Sequence, residues 1–122
     1  MAERTVKAVE SQQKYDKFRE SQQAAVKLQI AAERFFMESE PEQRRAVYGA
    51  YLKQRIRPAM ELLIRQENLQ ALETLYTLGW LPLGQIDDFL EMAAEAHKNS
   101  ALIWLLKLKN KTLGFAPRDL SL

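Results

Sequence analysis

The stretch that decides the fold is residues 86–108, IDDFLEMAAEAHKNSALIWLLKL. It reads as two helices joined by a tight connection, and residues 58–78 read the same way 30 positions earlier. The positions that match at this offset are Met60-Glu61-Leu62 with Leu90-Glu91-Met92, Ala71-Leu72 with Ala101-Leu102, and Leu75 and Leu78 with Leu105 and Leu108. Repeated helix pairs bury their apolar faces only by stacking on one another. The sequence therefore predicts two stacked helix pairs.

The ends of the predicted helices carry typical capping residues. Asn68 and Asn99 are both plausible N-caps for the second helix of their pair. Gly79 comes just after the second helix of the first pair, where a left-handed residue is favoured. A stack of two pairs needs a cap at each end, and the candidates are a helix over residues 41–57 and the tail, residues 113–122.

Residues 1–40 contain neither glycine nor proline and are rich in good helix formers. They predict one long N-terminal helix. Tyr15–Phe36 carries an apolar stripe with helical spacing, whereas Val6 and Val9 lie out of phase with it. We therefore expect the stripe to dock and the first 12 or so residues to be loosely held.

A second helix is predicted to begin at Pro41, which suits a first helical turn, and to end near Arg57, because Pro58 disfavours helical geometry in the residue before it. The expected fold class is all-α. The expected organisation is a long helix over residues 1–40 followed by a helical-repeat domain over residues 41–122.

Parts of the repeat resemble a known family. Residues 68–79 look like the second helix of an ankyrin repeat, and residues 86–106 resemble a full helix pair of that kind. Residues 108–115 are similar to the ends of degenerate ankyrin-like domains in proteins of gut Firmicutes and their mobile elements. The resemblance covers residues 58–115, and it implies a module that binds another protein without chemistry of its own. It also implies an inhibitor or adaptor, such as an anti-CRISPR-like inhibitor of a nuclease complex.

The composition is that of a globular helical protein. The chain has 122 residues, of which 47% are hydrophobic and 28% charged, and no cysteine, which excludes disulfides, thiolate metal sites and cysteine nucleophiles. The longest apolar run, residues 101–106, is far shorter than the ~20 residues of a membrane span. Residues 1–7 lack the apolar stretch of a secretory signal, so the expected location is the cytoplasm.

Charge is arranged in blocks that the net charge of +2 conceals. Residues 41–66 hold six basic and two acidic residues, residues 67–97 hold six acidic residues and no lysine or arginine, and residues 98–122 hold five basic residues and one acidic residue. Blocks of opposite sign steer complementary partners together, and they also face one another inside folds.

The sequence offers little for catalysis. His97 is the only imidazole and lies near a predicted helix end, where capping or packing is the expected role. Asp87, Glu91 and Glu95 recur every four residues and suggest a cation site, but acids are ordinarily favoured in a first helical turn, and no glycine-rich phosphate loop exists. We expect no enzyme activity, no cofactor and no metal.

The leading prediction is therefore protein binding through an acidic surface and a loop aromatic. The candidate residues are Trp80, Glu73, Asp87, Asp88, Glu91 and Glu95. Loop tryptophans are frequent hot spots, although Trp80 could equally close the core.

Two alternatives remain open. A nucleic-acid-binding regulator would use the basic helix, whose cations could meet phosphates while its tyrosines stack on bases. Its candidate residues are Arg44, Arg45, Tyr48, Lys53, Arg55 and Arg57. A self-associating scaffold, in the form of a homodimer, would use the stripe of the N-terminal helix.

Overall fold

The computed structural model describes the backbone of residues 2–114 and the side chains of residues 6–112. Within that range the chain is helical and contains no strand, so the all-α prediction is confirmed. The α-helices are α1 (Ala2–Glu20), α2 (Ala24–Arg34), α3 (Glu42–Gln54), α4 (Ile56–Arg65), α5 (Leu69–Thr77), α6 (Ile86–Glu95) and α7 (Asn99–Lys109). A 3₁₀ turn (Leu83–Gln85) precedes α6, and a π-helical turn (Asn110–Gly114) follows α7. The predicted cap over residues 113–122 lies almost wholly outside the described residues.

The chain divides into two units, residues 1–55 and residues 56–122. The first contains α1, α2 and α3, and the second contains α4 to α7. The division falls after α3 and not after residue 40, where the sequence placed it. Tyr48 and Leu52 of α3 are fully buried, and α3 packs on α2.

An aromatic cluster forms the centre of the first unit. The buried Tyr48 ring meets Phe18 and Tyr15 of α1 edge-on, with centroid distances of 5.0 and 5.9 Å. Phe18 also meets Tyr51 edge-on at 5.2 Å. Edge-to-face contacts add to the stability that burial provides. The predicted apolar stripe thus supplies part of this core.

Residues 21–23 interrupt the single long helix predicted over residues 1–40, and that prediction was wrong. The Ser21 hydroxyl oxygen accepts a hydrogen bond from the Gln23 N–H at 3.1 Å, and Gln23 is extended (φ −94°, ψ 116°). A serine side chain offers the backbone this alternative to helical bonding. The break lets α2 pack against α1. Val6 and Val9 are both exposed, and the loose hold of residues 1–12 stays a prediction.

The basic helix predicted over residues 41–57 ends at Gln54, and α4 begins at Ile56. Arg55 between them has φ −120° and ψ 46°, outside the helical region. Pro58 stands in the first turn of α4, where its missing N–H costs no hydrogen bond. Arg57 therefore belongs to α4 and to the second unit, not to the basic helix.

The second unit consists of two helical hairpins, α4–α5 and α6–α7, whose helices begin at positions 30 residues apart. The backbone between the helices repeats at the same offset. Glu67 and His97 both have a left-handed φ, 52° and 58°. The Glu67 N–H donates to the Ile64 carbonyl at 2.9 Å, and the His97 N–H donates to the Ala94 carbonyl at 3.1 Å. The self-similarity of the sequence is thus also a similarity of backbone geometry.

The apolar face of every helix in this unit points into one core. α4 contacts α5 and α6, and α7 contacts α5 and α6. The largest fully buried side chains are Met60, Leu63, Ile64, Leu72, Leu75, Ile86, Phe89 and Leu105. Gly79 ends α5 with φ 77°, as its position in the sequence predicts.

The two predicted N-caps have different outcomes. The Asn68 side-chain oxygen accepts the Ala71 N–H at 3.1 Å, so Asn68 caps α5. Asn99 is the first residue of α7 and does not cap it. A Glu67 carboxylate oxygen instead accepts the N–H groups of Ser100 and Ala101, at 2.9 and 3.3 Å. The turn of the first hairpin therefore caps the second helix of the second hairpin.

This cap gives a matched pair of glycine variants. His97→Gly is expected to raise the free energy of unfolding by about 1 kcal/mol, because glycine adopts a left-handed φ without steric cost. Glu67→Gly removes the same steric cost of a left-handed φ, but it also removes the cap of α7, a loss of about 1 kcal/mol. Its stability is therefore expected to match that of the unaltered protein or fall below it. Urea unfolding of both variants measures the difference. Equal stabilisation by both would show that the Glu67 cap contributes nothing.

Candidate interaction surfaces

One exposed face of the second hairpin combines apolar and acidic side chains. Asp87 and Glu91 are one turn apart on α6, and Leu102, Leu106 and Lys109 share one side of α7 by the same kind of spacing. The Lys109 Nζ lies 2.7 Å from the Asp87 Oδ1, which places the two rows side by side. We call these five residues the α6–α7 face.

The α6–α7 face lies away from the first hairpin. Other residues make the contacts with that hairpin: Lys111 lies 5.6 Å from the centroid of the Tyr76 ring of α5, and the Asp88 carboxylate lies 3.4 Å from the Arg57 guanidinium of α4. The face is therefore the end of the two-hairpin stack, where a longer solenoid would place its next helix pair.

Apolar side chains at this end remain open to solvent. Leu106 is 45% exposed, and Ile103, one turn before it, is 52% exposed. Leu105 between them is fully buried. The contrast shows that α7 uses one side for the core and leaves a second apolar side uncovered within the described residues.

The predicted acidic residues divide into paired and unpaired groups. Asp87 and Asp88 are held by Lys109 and Arg57. Glu91 and Glu95 are exposed, and no hydrogen bond or ion pair joins them to the other side chains of residues 6–112. Glu73 is also exposed but belongs to α5, in the other hairpin.

Trp80 is half-buried, so it is not the freely exposed anchor that the sequence suggested. Its backbone N–H donates to the Leu75 carbonyl at 3.0 Å, as part of the turn that follows α5. Leu81 beside it is buried. The loop therefore packs against its own unit.

Three of the basic-helix candidates face the interior of the first unit. Arg44 donates to the Ser11 hydroxyl at 2.6 Å and also to the Gln12 side chain. Arg45 is half-buried, and its Nε is buried without a hydrogen-bond partner among the described groups. Tyr48 is fully buried, so its proposed stacking on bases was wrong. Its ring contacts Phe18 and Tyr15 instead.

The other three candidates do not form one row. Lys53 and Arg55 are exposed near the end of α3. Arg57 lies in α4, where it approaches Glu61 at 3.6 Å and donates to Gln85 at 2.9 Å. The break at Arg55 separates Arg57 from the basic helix of the first unit.

A cleft in the first unit was not predicted from the sequence. Its volume is about 680 Å³, and it lies between the first half of α1 and the turn before α3. The buried Arg34 side chain approaches the Glu40 carboxylate at 3.1 Å and the exposed Glu10 carboxylate at 3.2 Å. Burial lowers the pKa of Arg34, but the hydrogen bond and charge of Glu40, with the charges of Glu10 and Glu33, outweigh it and raise that pKa above its ordinary value.

The sequence did not identify the α7 residues of the α6–α7 face or the buried Arg34–Glu40 pair, because both depend on how the helices pack. Leu102, Leu106 and Lys109 have the helical spacing that could have identified them, but nothing in the sequence shows which side of α7 is buried. Arg34 and Glu40 carry no such signal, because the turn between α2 and α3 decides that they meet.

Residues 6–112 bring together no group of three or more carboxylate or histidine side chains suited to a metal ion. Among the helices described, none has the length and apolar character needed to cross a bilayer.

The fold and these surfaces define an all-α protein whose second unit is a pair of repeated helical hairpins. Comparison of the chain with protein families, with curated proteins and with solved structures finds no match.

Proposed function

We propose that this protein is a non-catalytic protein-binding module and that its second unit binds the partner through the α6–α7 face. The observation that carries the proposal is the exposed apolar side of α7, with Leu106 45% exposed, beside Glu91, whose carboxylate has no partner among the side chains of residues 6–112. Repeat proteins bind through surfaces that a stack of rigid helix pairs presents. The ankyrin-like resemblance, which stays a prediction, implies the same function.

The chemistry of the face specifies the kind of partner. Leu102 and Leu106 offer an apolar strip, and Glu91 and Glu95 add negative charge along the neighbouring helix. Residues 67–97 contain no lysine or arginine that could neutralise them. The complementary partner is an amphipathic helix with leucine-like side chains on one side and lysine or arginine along its edge.

A designed peptide tests this proposal whatever the natural partner is. The probe is a fluorescent 14-residue helix with leucine at the i, i+3, i+4 and i+7 positions and lysine elsewhere. The 122-residue chain is expected to bind it. Glu91→Lys and Leu106→Glu are each expected to weaken binding at least tenfold, an effect of about 1.4 kcal/mol. Fluorescence anisotropy measures the dissociation constants.

Two controls distinguish binding at the α6–α7 face from non-specific attraction between opposite charges. Glu38→Lys makes the same charge change on an exposed residue of the first unit and is expected to leave binding unchanged. A peptide with glutamate in place of lysine is expected not to bind. Loss of binding in Glu38→Lys equal to that in Glu91→Lys, or no binding of the lysine peptide at all, would contradict the proposal.

Two other occupants of the α6–α7 face would give different results. A second copy of the chain would produce a mass twice that of the monomer in light scattering, reduced to the monomer by Leu106→Glu. Coverage by the chain's own residues 115–122 would make a variant ending at Gly114 bind the lysine peptide more tightly. Either result would overturn the proposed partner. Dimerisation through the Tyr15–Phe36 stripe and inhibition of a nuclease complex stay predictions.

A further inference from the structure

The first unit carries a second surface, on which cationic side chains lie over aromatic rings. The Arg55 guanidinium lies 4.3 Å from the Tyr51 ring centroid, and Lys27 Nζ lies 5.7 Å from the same centroid. Arg44 and Arg19 lie 5.3 and 5.7 Å from the Tyr15 ring centroid. These six residues come from α1, α2 and α3 with the residue after it. We call them the cation–aromatic surface.

The rings of this surface belong to one connected cluster. Tyr15 touches Tyr48, Tyr48 touches Phe18, and Phe18 touches Tyr51. Lys27 also lies over Phe18, at 4.8 Å from its centroid. Arg19, Lys27 and Arg55 therefore rest on a partly buried aromatic floor, which limits the freedom that they lose when they bind a ligand.

None of the four cations forms an ion pair with a carboxylate among the described side chains. Arg44 already donates to Ser11 and Gln12. Arg19 and Arg55 keep their in-plane N–H groups available, because the ring contacts only the face of the guanidinium. The outer face of the exposed Arg55 guanidinium is also available for stacking. The surface thus offers positive charge together with flat stacking groups.

We infer that the cation–aromatic surface binds single-stranded nucleic acid. Phosphates pair with Arg19, Lys27 and Arg55, and a base stacks on the Arg55–Tyr51 pair, which is the combination that sequence-independent single-strand binders use. An acidic protein segment would use the cations but gain nothing from the flat groups. The surface shares Arg44 and Arg55 with the basic-helix candidates of the sequence. Arg45, Lys53 and Arg57 have no part in it, and Tyr48 contributes only a buried ring to the cluster below. The inference concerns the first unit and does not depend on the α6–α7 face.

The test uses the full chain and a fluorescent oligo-uridine of 20 nucleotides, with anisotropy measured from 50 to 300 mM salt. Binding is expected at 50 mM salt and is expected to fall steeply as salt rises. Arg19→Gln, Lys27→Gln and Arg55→Gln are each expected to weaken it severalfold and to reduce the slope of log K against log salt by about 0.7, the value for one lost phosphate contact on a single strand. Tyr51→Leu is expected to weaken binding without changing the slope.

Lys17→Gln is the matched control, because Lys17 is an exposed cation of α1 outside the cluster. It is expected to retain the affinity and the slope. Each variant is first checked for an unchanged helical spectrum and melting temperature. No binding at 50 mM salt overturns the inference. Equal losses in Lys17→Gln and Arg55→Gln also overturn it, as does stronger binding of polyglutamate or of phosphatidylserine vesicles than of oligo-uridine.

Discussion

Replacing Glu40 with alanine is expected to lower the free energy of unfolding by about 3 kcal/mol, the low end of the range for breaking a buried ion pair. The Arg34 side chain is 4% exposed and the Glu40 side chain is fully buried, with 3.1 Å between them. Loss of the carboxylate leaves a buried guanidinium whose remaining partners, Glu10 and Glu33, are both about half exposed. Urea unfolding followed by circular dichroism measures the change.

Glu33→Ala is the matched control for this prediction. The Glu33 carboxylate lies 3.7 Å from the same guanidinium but is half-exposed, so its removal is expected to cost less than about 0.5 kcal/mol. The double variant Arg34→Met with Glu40→Leu is expected to recover most of the lost stability, because it removes the buried charge together with its partner. Equal, small losses in Glu40→Ala and Glu33→Ala would contradict a stabilising role for the buried Arg34–Glu40 pair.

The second large effect is a loss of stability at alkaline pH. Burial, with the nearby Glu40 carboxylate, raises the pKa of Tyr48 from its ordinary value of 10 to about 12. Below pH 10 the phenol is neutral in both the folded and the unfolded state. Between pH 10 and pH 12 the unfolded state loses the proton first, so stability is expected to fall by about 1.4 kcal/mol for each pH unit.

Tyr48→Phe isolates this contribution. The Tyr48 hydroxyl is buried without a hydrogen-bond partner among the described groups, so its removal is expected to cost nothing at pH 7. The variant is expected to become more stable than the unaltered protein as the pH rises from 10 to 12. Tyr51→Phe retains Tyr48 and is expected to show the full alkaline loss. Parallel stability curves for the unaltered protein and Tyr48→Phe would contradict the burial of an unpaired phenol.

The repeat in the second unit could be predicted because its information is local. Matching leucines 30 residues apart give the helix pairs, and Asn68 and Gly79 mark helix ends through capping preferences that act over one turn. The break at residues 21–23 could not be predicted in this way. Good helix formers surround the break and favour a continuous helix. The free energy gained by packing α2 on α1 exceeds the small free energy that these residues would gain by staying helical.

The candidate surfaces could be predicted only in part. Exposure of Glu91 and Glu95 follows from the apolar spacing of α6, but the apolar residues beside them belong to another helix. The position of Tyr48 shows the opposite error, because a tyrosine among arginines suggests a binding surface, whereas its ring fills the core against Phe18. The neighbouring helices decide which side of a helix is buried, and the tertiary fold decides which helices are neighbours.

The most direct test of the proposed binding is a nuclear magnetic resonance titration of the ¹⁵N-labelled full chain with the leucine–lysine peptide. We expect the largest shift changes at the amides of Glu91, Leu102 and Leu106, and loss of these changes in Leu106→Glu. Shift changes confined to residues 6–55, or an unchanged spectrum at millimolar peptide, would contradict binding at the end of the two-hairpin stack.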